Sequence, residues 1–189
     1  MRFKTILFFV FFLVLVSVIF FILTLTGWPE FDILIMNGTI VDGLGGKPFH
    51  ADIGIFKGKI KKIGSLQGKK ALKSIDAVNL MVCPGFIDLH THTDKNILKH
   101  PDAHNYIRQG VTTVLGGNCG SSQYPIGDFL KKVEQEKIAL NFCTLVGHNT
   151  IRKRVMGNAD REPEPKEMAE MKEMVKNAMK EGAGGRSTG

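Results

Sequence analysis

This sequence predicts an α/β chain in three parts: an apolar amino-terminal helix over residues 1–27, a small β domain over 28–84, and strand–loop–helix units over 85–189. Three observations carry that expectation. Ile6 to Leu25 is an apolar run of 20 residues, interrupted only by Ser17 and Thr24. From Phe31 to Pro84, short β-branched stretches are punctuated by Asn-Gly and Lys-Gly pairs, a pattern of hairpins. Past Pro84, apolar stretches alternate with helical periodicity, which implies parallel βαβ units.

The first segment has the length of a membrane span. At about 1.5 Å per residue such a helix covers about 30 Å, the hydrocarbon thickness of a bilayer. Arg2 and Lys4 precede the run, and Glu30 and Asp32 follow it. The positive-inside rule then puts the amino terminus in the cytoplasm and the rest of the chain outside. A secretory signal has an apolar region of only about 7–15 residues before a small-residue cleavage site. Thr24-Leu-Thr-Gly-Trp-Pro29 offers no clear site of that kind. The expectation is a retained membrane anchor with Trp28 at the interface; cleavage and secretion are the alternative.

The chain has 189 residues, 43% of them apolar, enough for a core and one ordinary domain. Its formal charge of +7 is scattered, with no basic stripe and no interleaved aromatics, so no nucleic-acid partner is expected. Lys57, Lys59, Lys61 and Lys62 read as the solvated face of a hairpin. Cys83, Cys119 and Cys143 are odd in number and widely spaced, which is no disulfide framework. Cys83 and Cys143 sit in apolar runs and are expected to be buried and inert.

In the β domain, Asp32–Met36 and Thr39–Val41 flank Asn37-Gly38 and predict a first hairpin. Asn37-Gly-Thr39 also matches a glycosylation sequon, but the tight turn is the preferred meaning. Asp52–Phe56 and Lys59–Ile63 flank Lys57-Gly58 and predict a second hairpin. Val78 to Cys83 leads into Pro84-Gly85, where the composition changes. Beyond it, strands are expected at Phe86–His90, Val111–Leu115 and Asn141–Val146, with helices around Ala103–Gln109, Asp128–Ile138 and Pro165–Glu181. The last helix has Pro165 near its start and Gly182 just past its end. Its Met168, Met171, Val175, Ala178 and Met179 recur at helical spacing and predict a core-facing stripe. A fourth strand starts near Gly184. So few strands cannot close an eight-stranded barrel, which needs roughly 200 residues or more. The expected fold is therefore a partial (β/α)8 barrel, the amino-terminal part of a longer protein.

The chemistry gathers where these strands end. Residues two apart in a strand share a face, so Asp88, His90 and His92 are expected side by side, with two imidazoles adjacent. Such a pair is half of a site for a zinc-like ion, which takes nitrogen and sulfur ligands at roughly 2.0–2.3 Å. Two solvated histidines on a surface strand are the plainer alternative. The buried apolar approach from Val82 to Ile87 favours metal, because ligands collect at the carboxyl ends of barrel strands. Gly116-Gly-Asn-Cys-Gly120 follows the second strand and brings Cys119 to the same rim, as a thiolate ligand or as a buried thiol in a glycine turn. Gly147-His-Asn149 follows the third strand, and His148 is a candidate for touching substrate or metal, or for a bond within its loop. Asp88 and Asp94 are expected as supporting carboxylates beside the histidines.

Pro84-Gly-Phe-Ile-Asp-Leu-His-Thr-His-Thr-Asp94 is similar to the first-strand signature of the amidohydrolase superfamily. Gly110-Val-Thr-Thr-Val114, Gly117-Asn-Cys-Gly120, Gly147-His-Asn-Thr-Ile-Arg152 and Glu181-Gly-Ala183 with Ser187-Thr-Gly189 narrow the likeness. Together they resemble the N-acyl-D-amino-acid deacylases, or D-aminoacylases. The opening Asp32-Ile-Leu-Ile-Met-Asn-Gly-Thr-Ile-Val-Asp-Gly43 and Ala51-Asp-Ile-Gly-Ile55 also fit that family's amino-terminal β segment.

The resemblance implies a (β/α)8 barrel with a small β domain built from both ends of the complete chain. It implies zinc at His90 and His92, with Cys119 a ligand where many relatives use a modified lysine. It implies hydrolysis of the amide joining an acyl group to a D-amino acid. Two further metal histidines and the catalytic aspartate are implied on later strands, so the fragment is expected to be inactive alone. Gly184 and Arg186 depart from the family pattern, which has apolar residues there, and a buried Arg186 would be costly without a partner. A cyclic amidase of the dihydropyrimidinase or hydantoinase type is one alternative, against which Cys119 argues. A truncated, membrane-anchored protein without turnover is another.

Overall fold

The computed structural model describes the backbone of residues 2–26 and 28–189, and the side chains of residues 8, 9, 11–21 and 28–189. The chain divides into two compact units, Met1–Pro84 and Gly85–Gly189.

In the first unit, α1 spans Arg2–Thr26. Its described side chains are exposed; Phe8, Phe11 and Phe20 are each more than half accessible. Among the described residues no helix is long and apolar enough to cross a membrane. The side chains of Arg2 and Lys4, and of both ends of the expected span, lie outside the described residues.

The β domain is a twisted sheet of β1 (Phe31–Ile40), β2 (Phe49–Phe56), β3 (Lys59–Gly64) and β4 (Ala71–Asp76) in the order β3-β2-β1-β4, with β5 (Met81–Val82) also pairing β1. The expected hairpin at Asn37-Gly38 does not form, because β1 runs straight through it. Asn37 is left-handed at φ 62°, but the conformation serves a bulge, since Ile35 pairs with Ile53 while Gly38 pairs with Ala51. One extra residue on β1 is thereby absorbed. Asp52 Oδ1 accepts the Asn37 amide at 2.9 Å, and Asn37 Nδ2 donates to Asp76 Oδ1 at 2.8 Å. The second expected hairpin is present: β2 and β3 are antiparallel, with Lys57 at φ 51° and Gly58 at φ 71°. Its lysines are solvated, and Lys57 and Lys61 lie over the Phe56 ring. β4 was not expected, because Lys73 and Ser74 give it no apolar alternation; its parallel pairing with β1 makes it a strand. Phe31, Leu34 and Leu66 form the small core, and Gly54 is where the Phe31 ring lies against the backbone.

The second unit opens with three parallel strands, β6 (Phe86–Asp88), β7 (Val111–Gly116) and β8 (Asn141–Thr144), ordered β6-β7-β8. The expected strand Asn141–Val146 is split. Asn141–Thr144 pairs with β7, whereas β9 (Val146–Gly147) pairs in parallel with β10 (Arg186–Ser187). These described strands remain an open assembly, consistent with parallel βαβ order but without closure. Helix α2 is a single turn, His104–Ile107, and α3 spans Ile126–Gln135. Ile97, Val114, Phe129 and Val133 pack between sheet and helix.

Two helices follow. α4 (His148–Met156) occupies what was expected to be a loop, with Gly147 as its N-cap. α5 (Pro165–Lys180) begins at Pro165, as the sequence suggested, and a reciprocal capping box between Glu164 and Glu167 holds that start. Met171 and Ala178 are buried with Val146 and Ile151, while Met168 and Met179 are exposed, so the expected apolar stripe is narrower than its spacing implied. Arg161 grips Glu167 with two bonds, at 2.8 and 2.7 Å. That hydrogen-bonding guanidinium, helped by the Glu164 amide, holds the Glu167 carboxyl down to about 2.

Two burial expectations are corrected. Cys83 and Cys143 are exposed. Val114 and its register partner Phe142 face the helix-side cluster, so Cys143, one residue on, points to the uncovered face of the sheet. Arg186 is exposed, not buried, so it carries no desolvation cost.

Candidate metal centre

His90 and His92 lie just beyond β6, not within it. Asp88 Oδ1 accepts the His90 amide at 3.1 Å, and this local turn takes the chain out of the strand ladder. The strict two-residue alternation therefore ends at Asp88, yet the two imidazoles stay together. Their centroids are 5.9 Å apart and the rings meet at 74°. His92 then caps a short 3₁₀ turn, Thr93–Lys95.

The histidine segment is tied to the end of β7. The Thr91 amide and hydroxyl both donate to Leu115 O, at 3.1 and 2.9 Å. Asn118 Nδ2 bridges Thr91 O at 3.2 Å and Leu115 O at 2.8 Å. Asp94 is 4% exposed and its Oδ1 accepts the Gly117 amide at 3.2 Å. Thus Asp88 and Asp94 grip backbone around the site; neither carboxylate is hydrogen-bonded to an imidazole in the structure.

Cys119 occupies a left-handed position, φ 52°, between Gly117 at φ 72° and Gly120 at φ 70°. A Cβ at Gly117 would lie 2.2 Å from Leu145 O, so the close passage of the β8–β9 backbone requires glycine there. This loop brings Cys119 Sγ to 3.2 Å from His90 Nε2. One donor atom each from His90, His92 and Cys119 lies within 4.8 Å of the others, and all three residues are exposed.

Two ligands at zinc distances of about 2.0–2.3 Å sit about 3.3–3.8 Å apart around a tetrahedron. The observed donors are thus already near that spacing, and nitrogen with thiolate is the donor chemistry that zinc takes. The residues present fit the ion.

His92 also lines a cavity of about 430 Å³ with Asn96, His100, Asn105 and Tyr106. His148 does not join the three donors. It is half-buried at the start of α4, in a separate cavity of about 340 Å³ with Ile151, Met171 and Arg186. Sequence reasoning missed Asn118 and Ser187 as parts of this region. Asn118 stands inside the quoted glycine loop, but only its two carbonyl partners disclose its task. Ser187 Oγ reaches the same loop, donating to Gly117 O at 2.5 Å and accepting the Gly120 amide at 3.1 Å.

Comparison with known proteins agrees with this arrangement. A family model described as the Amidohydrolase family matches residues 73–189. The chain is 36% identical over 182 residues to a D-aminoacylase of Alcaligenes xylosoxydans xylosoxydans, covering 84% of this chain and 38% of that protein. It is 34% identical over 182 residues to an N-acyl-D-glutamate deacylase of the same organism, covering 85% of this chain and 37% of the relative. A crystal structure of N-acyl-D-glutamate deacylase from Bordetella bronchiseptica, complexed with zinc and a phosphonate mimic of the reaction's tetrahedral intermediate, superimposes with a TM-score of 0.81. There the identity is 32%, over 85% of this chain and 38% of that one. This chain therefore spans a little over a third of the length of the relatives it matches. The strands β6, β7 and β8, the histidine pair and the cysteine loop all fall within the residues that the family model matches, and the chain belongs to the amidohydrolase family.

Proposed function

We propose that this chain forms part of a zinc-dependent hydrolase that cleaves the amide bond of N-acyl-D-amino acids, with His90, His92 and Cys119 as metal ligands. The observation that carries the reading is the convergence of those three donors from loops after two adjacent parallel strands. It is supported by the activities named for the similar proteins.

Zinc, when bound, polarises the amide carbonyl and brings water to a nucleophilic state near neutral pH. The chain's own residues hold and orient the donors. Cys119 presents a thiol that binds as thiolate, and the histidines present ring nitrogens. Asp88 fixes the turn into His90, Asp94 fixes Gly117, and Asn118 ties one loop to the other. The cavity beside His92 is assigned to the substrate end of the site, with Asn96, Asn105 and Tyr106 as its polar contacts. His148, in a cavity apart from that one, is assigned no part in holding the metal. Proton transfer to the leaving amine and the remaining ligands are assigned to polypeptide outside these 189 residues, so the chain alone is expected to be catalytically silent.

We further propose that residues 6–25 anchor the protein in a membrane with the hydrolase region outside the cytoplasm. The support is the apolar run and its flanking Arg2 and Lys4. Resistance to alkaline extraction from membranes, with Met1 retained on amino-terminal sequencing, is the expected result; a soluble protein beginning near Trp28 would reverse it.

The hydrolase reading is tested with the complete gene product, by metal analysis and by hydrolysis of N-acetyl-D- and N-acetyl-L-amino acids. Zinc content with turnover of the D-series is expected. Zinc-free protein, or turnover confined to the L-series or to cyclic amides, would overturn it.

A further inference from the structure

We propose that Ser187 is a positioning residue for the Cys119 thiol, a proposal that rests on the metal reading above. The loop from Gly117 to Gly120 has no regular ladder of its own, and three of its four residues are left-handed. Cys119 is one of them. A non-glycine residue in that conformation is held there by its surroundings. Ser187 supplies the hold. It is 8% exposed, and its single hydroxyl uses both of its capacities on this loop. It donates to Gly117 O, two residues before the cysteine, and accepts the Gly120 amide, one residue after it. Among the described residues it is the one side chain that bonds the loop backbone on both sides of Cys119. Asp94 reaches only its first residue, Gly117, and the Asn118 side chain bonds Thr91 O and Leu115 O outside the loop.

The clamp also has an origin distinct from the histidine side of the site. Ser187 lies on β10, whose pairing with β9 fixes it through Ser187 opposite Gly147. Gly147 itself packs so closely that a Cβ there would lie 2.2 Å from Gly120 O. The β9–β10 pair therefore presents one hydroxyl to a loop it touches at van der Waals range. Substituting Ser187 frees the backbone that aims Sγ at His90 without removing any ligand.

Co²⁺ titration of the full chain tests this, read by thiolate-to-cobalt charge-transfer absorption. A Cys83→Ser, Cys143→Ser background leaves Cys119 as the single thiol of these 189 residues. Ser187→Ala is expected to weaken Co²⁺ binding about 10–100-fold, the range for loss of a group that orients a ligand, and to shift the band. Ser187→Thr, which keeps the hydroxyl, restores most of the affinity. Asn141→Ala is the control, since it removes a comparable bond, donated to Thr112 O at 3.0 Å, at the end of β8 away from the clamp. Wild-type affinity and spectrum in Ser187→Ala, or an equal loss in Asn141→Ala, would overturn the proposal. If Ser187→Ala does not fold, exchange of the Gly120 amide in the unsubstituted chain decides. Protection must rise on Cd²⁺ binding, because coupling is reciprocal; unchanged protection overturns it. Failure of the metal reading looks different: no charge-transfer band in any variant, or Co²⁺ binding unaffected by Cys119→Ala, and it takes this proposal with it.

Discussion

His90 Nε2 lies 3.2 Å from Cys119 Sγ although 29 residues separate them in the chain. Two turns that break from their strands, one at Asp88 and one at Gly117, create that proximity. Neither is regular secondary structure, and both are held by side chains acting on backbone.

Cys119→Ala should abolish tight zinc binding in the full-length protein. Losing a ligand costs more than the about 10–100-fold typical of losing an orienting group. Cys143→Ala, at a thiol also exposed and on the next strand, should leave the affinity unchanged. Competition against a chromophoric chelator measures both, and equal effects from the two would remove Cys119 from the site.

Gly117→Ala should destabilise the second unit by about 1–3 kcal/mol, the range for overpacking and for forced left-handed backbone. Its Cβ would meet Leu145 O at 2.2 Å and Thr144 Oγ1 at 2.9 Å, and the backbone contact cannot be relieved by a rotamer. Gly43→Ala provides the contrast, with φ +78° but nothing within 4 Å. It should show the conformational strain alone, about 1 kcal/mol. Urea unfolding separates the two.

Asn37→Ala should cost the β domain about 1–2 kcal/mol, from loss of the bond to Asp76 and from an alanine held at positive φ. Asn37→Gly loses the same bond without the strain and should cost less. A larger loss in the glycine variant would show that the bulge is not limited by backbone conformation.

Glu167 predicts a pH dependence with a fixed sign. Its carboxyl is held below its ordinary value, at about 2, chiefly by the hydrogen-bonding Arg161. A depressed carboxylate contributes stability above its unfolded pKa, and that contribution disappears as pH falls through the folded value. Glu167→Gln should therefore loosen the start of α5 at neutral pH. The difference from wild type should shrink between about pH 4.5 and 2. Amide exchange across the first turn of α5 reports it.

Much of the site was legible because its parts are local in sequence. An apolar run leading to His90-Thr-His92, and a glycine loop carrying Cys119, can each be recognised within a dozen residues, although Phe86, Ile87 and Leu89 are exposed rather than buried as expected. What escaped depends on partners far away. Asn37-Gly38 carries the left-handed preference of a hairpin, yet the same preference satisfies a bulge once β2 pairs across it. β4 is polar along its length and is a strand only because β1 lies beside it. Gly147 begins a helix where a loop was expected, because Asn149, Arg152 and Lys153 give α4 no strong apolar period. The exposure of Cys143 depends on which side of the sheet has neighbours, and no pattern within β8 records that. Ser187 belonged to a recognisable Ser-Thr-Gly run, but its task exists only across 70 residues of separation.

That separation has a consequence in time. Ser187 is made 67 residues after Gly120, an interval of roughly 3–13 s at translation rates of about 5–20 residues per second. Once the loop has left the exit tunnel, Cys119 meets solvent and ions while its backbone lacks the hydroxyl that clamps it on both sides. A ribosome-bound chain stopped short of residue 187 should therefore carry Cys119, which is exposed in the finished fold too, on an unclamped loop, and should bind Co²⁺ more weakly than the released chain. Release of the β10 segment from the exit tunnel marks the moment at which the loop acquires its finished geometry.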